Sequence, residues 1–308
     1  VLDVEGELVS GVIPTSYLGA GGMFVAIIVG YIAAKIYCYF LGSKFKITLP
    51  ESVPTMVSDS FSSLIPAFIT LLIICIFNFL MTLTPYENIH AFITTIIQTP
   101  LMNIGTGLAA TVFTQGLIQL LWFFGLQGDD LVGAVTNPIL TTASAENLTA
   151  YQAGQDLPYI ITQQFVQLFI LIAFISLVIA IVIVSKSNRL KETGKLAIVP
   201  ACFNISEPTV FGIPLVMNFI LFIPWVLIRP IFVLITYAFM YFGLCPAPTG
   251  VMLPWTTPPI LSGFLATNSI MGSVVQIVCL VVGVLIFIPF VKVIDKQYRA
   301  EEKDLENK

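Results

Sequence analysis

The chain has 308 residues, 57% of them hydrophobic and only 10% charged, where a soluble domain carries about 25% charged residues; this composition excludes a soluble globular fold and makes it a polytopic membrane protein. A net charge of −4, without a basic cluster facing a folded domain, excludes nucleic acid as a partner. Five cysteines, at 38, 75, 202, 245 and 279, fall in no metal-ligand or C-x-x-C spacing, so they read as small apolar residues in helices and imply neither metal nor cofactor.

The acidic start, with Asp3, Glu5 and Glu7, has the wrong sign for a secretory signal. The run over 17–41, broken only by Lys35, is long enough to span hydrocarbon, and Lys35, Lys44 and Lys46 put its end inside. Val1 then starts outside, which an odd number of upstream helices would explain. A polar link over 49–54, containing Pro50, Glu51, Ser52 and Pro54, leads to a second span over 60–83. Next, Ile89, Phe92, Ile93, Ile96 and Ile97 recur at helical spacing and predict an amphipathic helix lying along the membrane surface or linking two bundles. Thr84-Pro85-Tyr86-Glu87 fits a capping box for it, and Pro100 ends it. His90, the single histidine, lies at the edge of the stripe and reads as structural.

Over 101–124 the chain is apolar but studded with Gly105, Gly107 and Gly116, until Gly125-Leu126-Gln127-Gly128-Asp129-Asp130 interrupts it ahead of Asn137-Pro138. Two half-length apolar segments around a Gly-rich polar turn predict a re-entrant hairpin and one wall of a binding site. The plainer reading is a pair of helices with an outer acidic loop. An uncharged run over 157–185 spans fully, and Lys186, Arg189, Lys191 and Lys195 place the loop after it inside.

The rest of the chain is organised around Ala201-Cys202-Phe203-Asn204-Ile205-Ser206-Glu207-Pro208-Thr209-Val210-Phe211-Gly212. Between Lys195 and Lys292 the only formal charges are Glu207 and Arg229. An intramembrane carboxylate costs about 2.5–3.5 kcal/mol and marks a substrate or ion path by default. Pro208 biases Glu207 away from the α region, and Gly212 and Pro214 stop a continuous helix, so a second broken hairpin is expected. Such backbone at membrane depth must line a cavity or lie inside protein. Asn204 adds an amide suited to a hydroxyl-rich ligand. The bland alternative pairs Glu207 with Arg229 inside the bundle. Further on, Leu253-Pro254-Trp255-Thr256-Thr257-Pro258-Pro259 cannot be regular helix. Trp255 offers a face for a sugar ring, or belongs to an interfacial aromatic belt. The last span, 269–291, ends inside at Lys292, Asp295, Lys296 and Arg299, followed by a short charged tail.

These motifs in this order, with Ile13-Pro14-Thr15-Ser16-Tyr17-Leu18-Gly19, Trp122-Phe123-Phe124-Gly125 and Asn137-Pro138 alongside the Asn204-to-Gly212 element and Pro254-to-Pro259, resemble the IIC membrane component of the bacterial sugar phosphotransferase system, in its lactose and cellobiose branch. The resemblance covers essentially the whole chain. It implies an all-α polytopic bundle with two re-entrant hairpins, lacking the first helices of the family fold, and a homodimer in the bacterial plasma membrane. It also implies an organisation: 1–83 as the remainder of the scaffold and dimerisation helices, 84–100 as the linker, 101–294 as the transport domain and 295–308 as a cytoplasmic tail. The implied partners are a β-linked disaccharide and a separate cytoplasmic IIB protein carrying a phosphocysteine, with IIA and the general phosphotransferase proteins upstream. The implied sugar contacts are Asn204, Glu207, Gln127, Asn137, Trp255 and Thr256, with Glu207 catalytic. Gln127 stands where the family commonly has a histidine, and it cannot take up a proton. Two other readings stay open: an ion-coupled transporter with Glu207 as proton site, and a truncated, non-transporting remnant.

Overall fold

The structure is a computed structural model that describes residues 2–4, 7–9, 22–44, 47–50, 53–213 and 215–306. The motif Ile13 to Gly19, together with Val1, Glu5, Lys46, Glu51, Ser52, Pro214 and the last two residues of the tail, lies outside the described residues. By its internal contacts the chain divides into two compact units, Val1–Leu101 and Met102–Lys308.

In the first unit, strands β1 (Leu2–Val4) and β2 (Glu7–Val9) pair antiparallel, with Asp3 opposite Leu8. Among the described residues this short ribbon is the one departure from an all-helical reading. Helices α1 (Met23–Leu41) and α2 (Thr55–Met81) follow. They pack with α3 (Ile89–Ile93) around an apolar cavity of about 260 Å³ lined by residues such as Ile32, Ile73 and Phe92. The linker helix starts from a different cap than the sequence suggested. Asn88 is its N-cap, accepting from the Ala91 N–H at 2.8 Å, while Glu87 sits at φ 63° in place of the expected Thr84 capping box. Nor does Pro100 end the helix. A π-helical turn (Thr94–Gln98) passes into α4 (Thr99–Gly105), where Pro100 is the second residue and the helical backbone runs on to Gly105.

The second unit holds α5 (Leu108–Phe123), α6 (Gly128–Gln152), a π-helical turn (Phe165–Ile170), α7 (Ala173–Val184), α8 (Asn188–Cys202), α9 (Glu207–Gly212), α10 (Phe219–Tyr241), α11 (Leu261–Thr267) and α12 (Ile270–Glu306). Its core is centred on Phe165, Leu168, Phe169, Leu177, Phe232 and Phe287, all sealed from solvent. One reading needs correction here. The basic segment after 185 is not a loop, because Ser187 caps α8 by accepting from the Leu190 N–H at 3.1 Å and the helix carries Arg189, Lys191 and Lys195. Arg229 and Pro230 both lie within α10, a single helix that also contains Pro224. The charged tail is helical, since α12 continues without a break to Glu306.

Buried polar side chains hold the irregular segments in place. Gln276 on α12 is fully buried; its Oε1 accepts from the N–H groups of Ile260 and Gly263, and its Nε2 donates to Leu168 O and Ser262 Oγ at 2.8 Å each. Asn147 on α6 does the same for two loops, accepting from the Tyr159 N–H and donating to Tyr159 O at 2.7 Å and Pro248 O at 2.8 Å. Backbone groups that could not be satisfied by lipid are thereby satisfied within protein. Near Ser185, Asp295 accepts from the Lys186 and Ser187 N–H groups at 2.7 Å each and pairs with Arg299 at 3.0 Å. Among the described residues five helices are long and apolar enough to cross a membrane: Phe24–Leu41, Thr55–Met81, Phe165–Val184, Phe219–Tyr241 and Ile270–Asp304.

Candidate functional site

Three irregular turns and one helix of the second unit converge on a single cavity. The first turn joins α8 to α9. Pro200 sits in the last turn of α8, and Asn204 takes a left-handed backbone, φ 61°, which a short amide side chain tolerates better than most. The chain therefore breaks at 203–206. Pro208 does not displace Glu207 from the helix as expected: Glu207 is the first residue of α9 and Pro208 the second, where a missing N–H costs nothing. The Glu207 carboxylate is exposed, lines the cavity, and makes no hydrogen bond or ion pair with any described residue.

The second turn carries Trp255. Asn204 Nδ2 donates to Trp255 O at 2.6 Å and to Thr257 O at 3.2 Å, fixing this segment across the α8–α9 turn. The donor half of that amide is thus committed to the loop, and its Oδ1 is buried without a partner. The third turn joins α5 to α6. Gly128 lies so close to the Ile118 carbonyl that a Cβ would overlap it, which is the physical reason for glycine in this turn. The approach delivers Asp129 to the inside of the unit. Its carboxylate accepts from Trp122 Nε1 at 2.8 Å and, in bidentate fashion, from Arg229 at 2.6 and 3.1 Å.

That ion pair removes two of the plainer alternatives. Asp129 is not part of an outer acidic loop, and Arg229, only 4% exposed, is paired with Asp129 and not with Glu207. The one intramembrane arginine is neutralised by a partner 100 residues away in sequence, leaving the acid of the α8–α9 turn uncommitted.

The cavity is about 330 Å³ in volume. Of the residues singled out from sequence, Gln127, Asn137, Asn204, Glu207 and Trp255 all line it; Thr256 does not, although its neighbour Thr257 holds Asn204. Gln115 and Gln163, which sequence reasoning passed over, line it as well, as do Trp122, Asp129 and Arg229, which it named without assigning them to the ligand. The signal for Gln115 was present: with Gln119 it forms an i, i+4 amide pair in an otherwise apolar helix, and buried amides need a reason. Gln163 Nε2 donates to Asn137 Oδ1 at 3.3 Å. The wall so formed presents amides, the carboxylates of Glu207 and Asp130 and the half-exposed Trp255, a set that can exchange several hydrogen bonds with a polyhydroxylated ligand while an aromatic face covers its apolar side. Among the described residues no group of His, Cys, Asp and Glu is placed to hold a metal ion.

Comparison with known proteins gives the family. The family described as phosphotransferase system, EIIC, matches residues 2–228. The oligo-beta-mannoside-specific EIIC component of Bacillus subtilis (strain 168) is 41% identical over 304 residues, covering 97% of this chain and 69% of the relative. The cellobiose-specific EIIC component of Geobacillus stearothermophilus is 39% identical, over 97% of this chain and 68% of the relative. A crystal structure of the transporter ChbC, the IIC component from the N,N'-diacetylchitobiose-specific phosphotransferase system, superposes with a TM-score of 0.92 at 37% identity, over 96% of this chain and 69% of that one.

Proposed function

Because the chain belongs to the EIIC family of the phosphotransferase system, we propose that its cavity binds a β-linked disaccharide of the cellobiose type and presents it for phosphorylation by a separate cytoplasmic IIB protein. The observation that carries this reading is Glu207, an unpaired carboxylate beside the broken α8–α9 turn, in a cavity also lined by the amides Gln115, Gln127, Asn137 and Gln163, by Trp122 and Trp255, by Asp130 and by the Asp129–Arg229 pair. A sugar hydroxyl donates to such a carboxylate, and Trp255 covers a pyranose face. The relatives named above for oligo-beta-mannosides, cellobiose and diacetylchitobiose supply the sugar class.

In this mechanism Glu207 holds the sugar at membrane depth and Asn204 fixes the Trp255 segment beside it, with Gln127 and Asn137 as further hydrogen-bonding groups. Movement of the segment 101–294, including its two broken helical hairpins, then exposes the sugar to the cytoplasm. The oxygen of the 6-hydroxyl attacks phosphorus on the phosphocysteine of IIB as the S–P bond breaks; the sulfur leaves as thiolate and Glu207 takes the hydroxyl proton. Positioning and charge stabilisation carry most of such a transfer, and the carboxylate orients the acceptor. The protein works as a homodimer in the bacterial plasma membrane, with IIA and the general phosphotransferase proteins feeding IIB.

The test uses membrane vesicles containing the chain and radiolabelled cellobiose. Sugar phosphate should form only when phosphorylated IIB is supplied, and an uncoupler should leave the yield unchanged. Uptake of unmodified sugar without IIB, collapsing on addition of the uncoupler, would overturn the reading in favour of ion coupling.

A further inference from the structure

Helices α5 and α10 run antiparallel and are locked at one level by a reciprocal pair. Gln119 Nε2 donates to Trp225 O at 3.1 Å, and Trp225 Nε1 donates to Gln119 O at 3.1 Å. One turn further along, four residues back on α5 and four residues on along α10, Gln115 and Arg229 come level with each other. Gln115 is 3% exposed and Arg229 4%, and both line the cavity. Arg229 uses its two terminal nitrogens on Asp129, while its Nε–H is buried with no acceptor. Gln115 makes no hydrogen bond to any described residue; its Oε1 is buried and unpartnered, whereas Nε2 is not sealed in this way.

We propose that Gln115 is a specificity-determining residue that reads a hydroxyl of the sugar, with Arg229 as the residue that positions it. A small inward turn of the Gln115 amide gives Oε1 the Arg229 Nε–H and leaves the Nε2 donors pointing into the cavity. One motion then satisfies both orphaned groups and adds donors to the cavity that the acceptor Glu207 also lines. Arg229 itself attracts no anion, because Asp129 already neutralises it, so the subsite suits a neutral hydroxyl oxygen and not a phosphate. If Gln115 served packing alone, an apolar residue of its size would fill the place without leaving an amide unbonded. The inference rests on the sugar reading given above.

The test titrates the purified full chain in detergent with cellobiose, mannobiose and N,N'-diacetylchitobiose, and then with monodeoxy derivatives of whichever binds most tightly. Gln115→Leu removes the amide, and Gln115→Glu keeps an acceptor for Arg229 but removes the donor. Both should weaken binding by about three- to tenfold, the range for losing one neutral hydrogen bond. One monodeoxy derivative should bind wild type and Gln115→Leu alike, and the thermal midpoint of ligand-free Gln115→Leu should equal or exceed that of wild type. Affinity within twofold of wild type for Gln115→Leu, or full affinity in Gln115→Glu, would overturn the proposal, as would a lowered thermal midpoint with unchanged affinity. If wild type binds a sugar and Glu207→Gln weakens it while Gln115→Leu does not, only the subsite falls. If none of the three sugars binds wild type, the sugar reading falls and the subsite with it.

Discussion

Helix α2 of the first unit and the segment Phe165–Val184 of the second are close in composition, with mean hydropathies of 2.6 and 3.1 in their most apolar windows, yet 11% of the one window and 67% of the other is buried. Apolar composition shows that a helix can lie in a membrane; it does not say what the helix touches. α2 presents Phe68, Leu71 and Phe79 outward, a face suited to hydrocarbon. The second unit instead surrounds its apolar helices with buried polar groups that are individually bonded: Asp129 to Arg229, Gln276 to the 260–263 turn, Asn147 to two loops. Where irregular backbone must exist at membrane depth, side-chain amides and an ion pair take over the role water has elsewhere.

That contrast can be broken or sharpened by substitution. The largest effect is expected at the ion pair. Asp129→Ala leaves the Arg229 guanidinium buried and uncompensated, which costs about 3 kcal/mol, read as an earlier unfolding midpoint on SDS titration in mixed micelles; the double substitution Asp129→Leu with Arg229→Met should recover most of the loss. Gly272→Ala comes next, because a Cβ there runs into the Gly263 carbonyl where α11 meets α12. Overpacking of this kind costs about 1–3 kcal/mol, and the same titration measures it. Asn204→Asp keeps a side chain that tolerates φ 61° but removes both donors to the Trp255 segment. Sugar affinity should fall about tenfold, with a smaller change in stability. Phe68→Ala on the exposed face of α2 should stay within about 0.5 kcal/mol of wild type. A large loss there would mean that this face is covered by protein.

Much of this was legible in the residues. The low charge content gave the membrane class. The proline-flanked acid at 207 gave the broken helix, and the proline cluster at 254–259 gave the loop bearing Trp255. Gln127 and Asn137 line the same cavity as these segments. What escaped were relations between distant positions. Nothing local to Asp129 shows that Arg229 will meet it, and an acid after a Gly-rich turn looks like an outer loop until α5 and α10 are seen to pack together. Gln276 stands in a long apolar helix with no local sign of the turn it anchors. Boundary errors had a different origin: Asn88 outcompeted the Thr84 capping box, and Pro100 and Pro208 fell in first turns, where proline is tolerated.

The central claim is that Glu207 is kept free of internal partners in order to act on a bound sugar. The direct measurement is the rate of sugar phosphorylation by membranes supplied with phosphorylated IIB, for wild type and Glu207→Gln at equal protein levels. Loss of a positioned acid–base group should lower turnover by about a hundredfold or more, whereas turnover equal to wild type would contradict the role assigned to this residue.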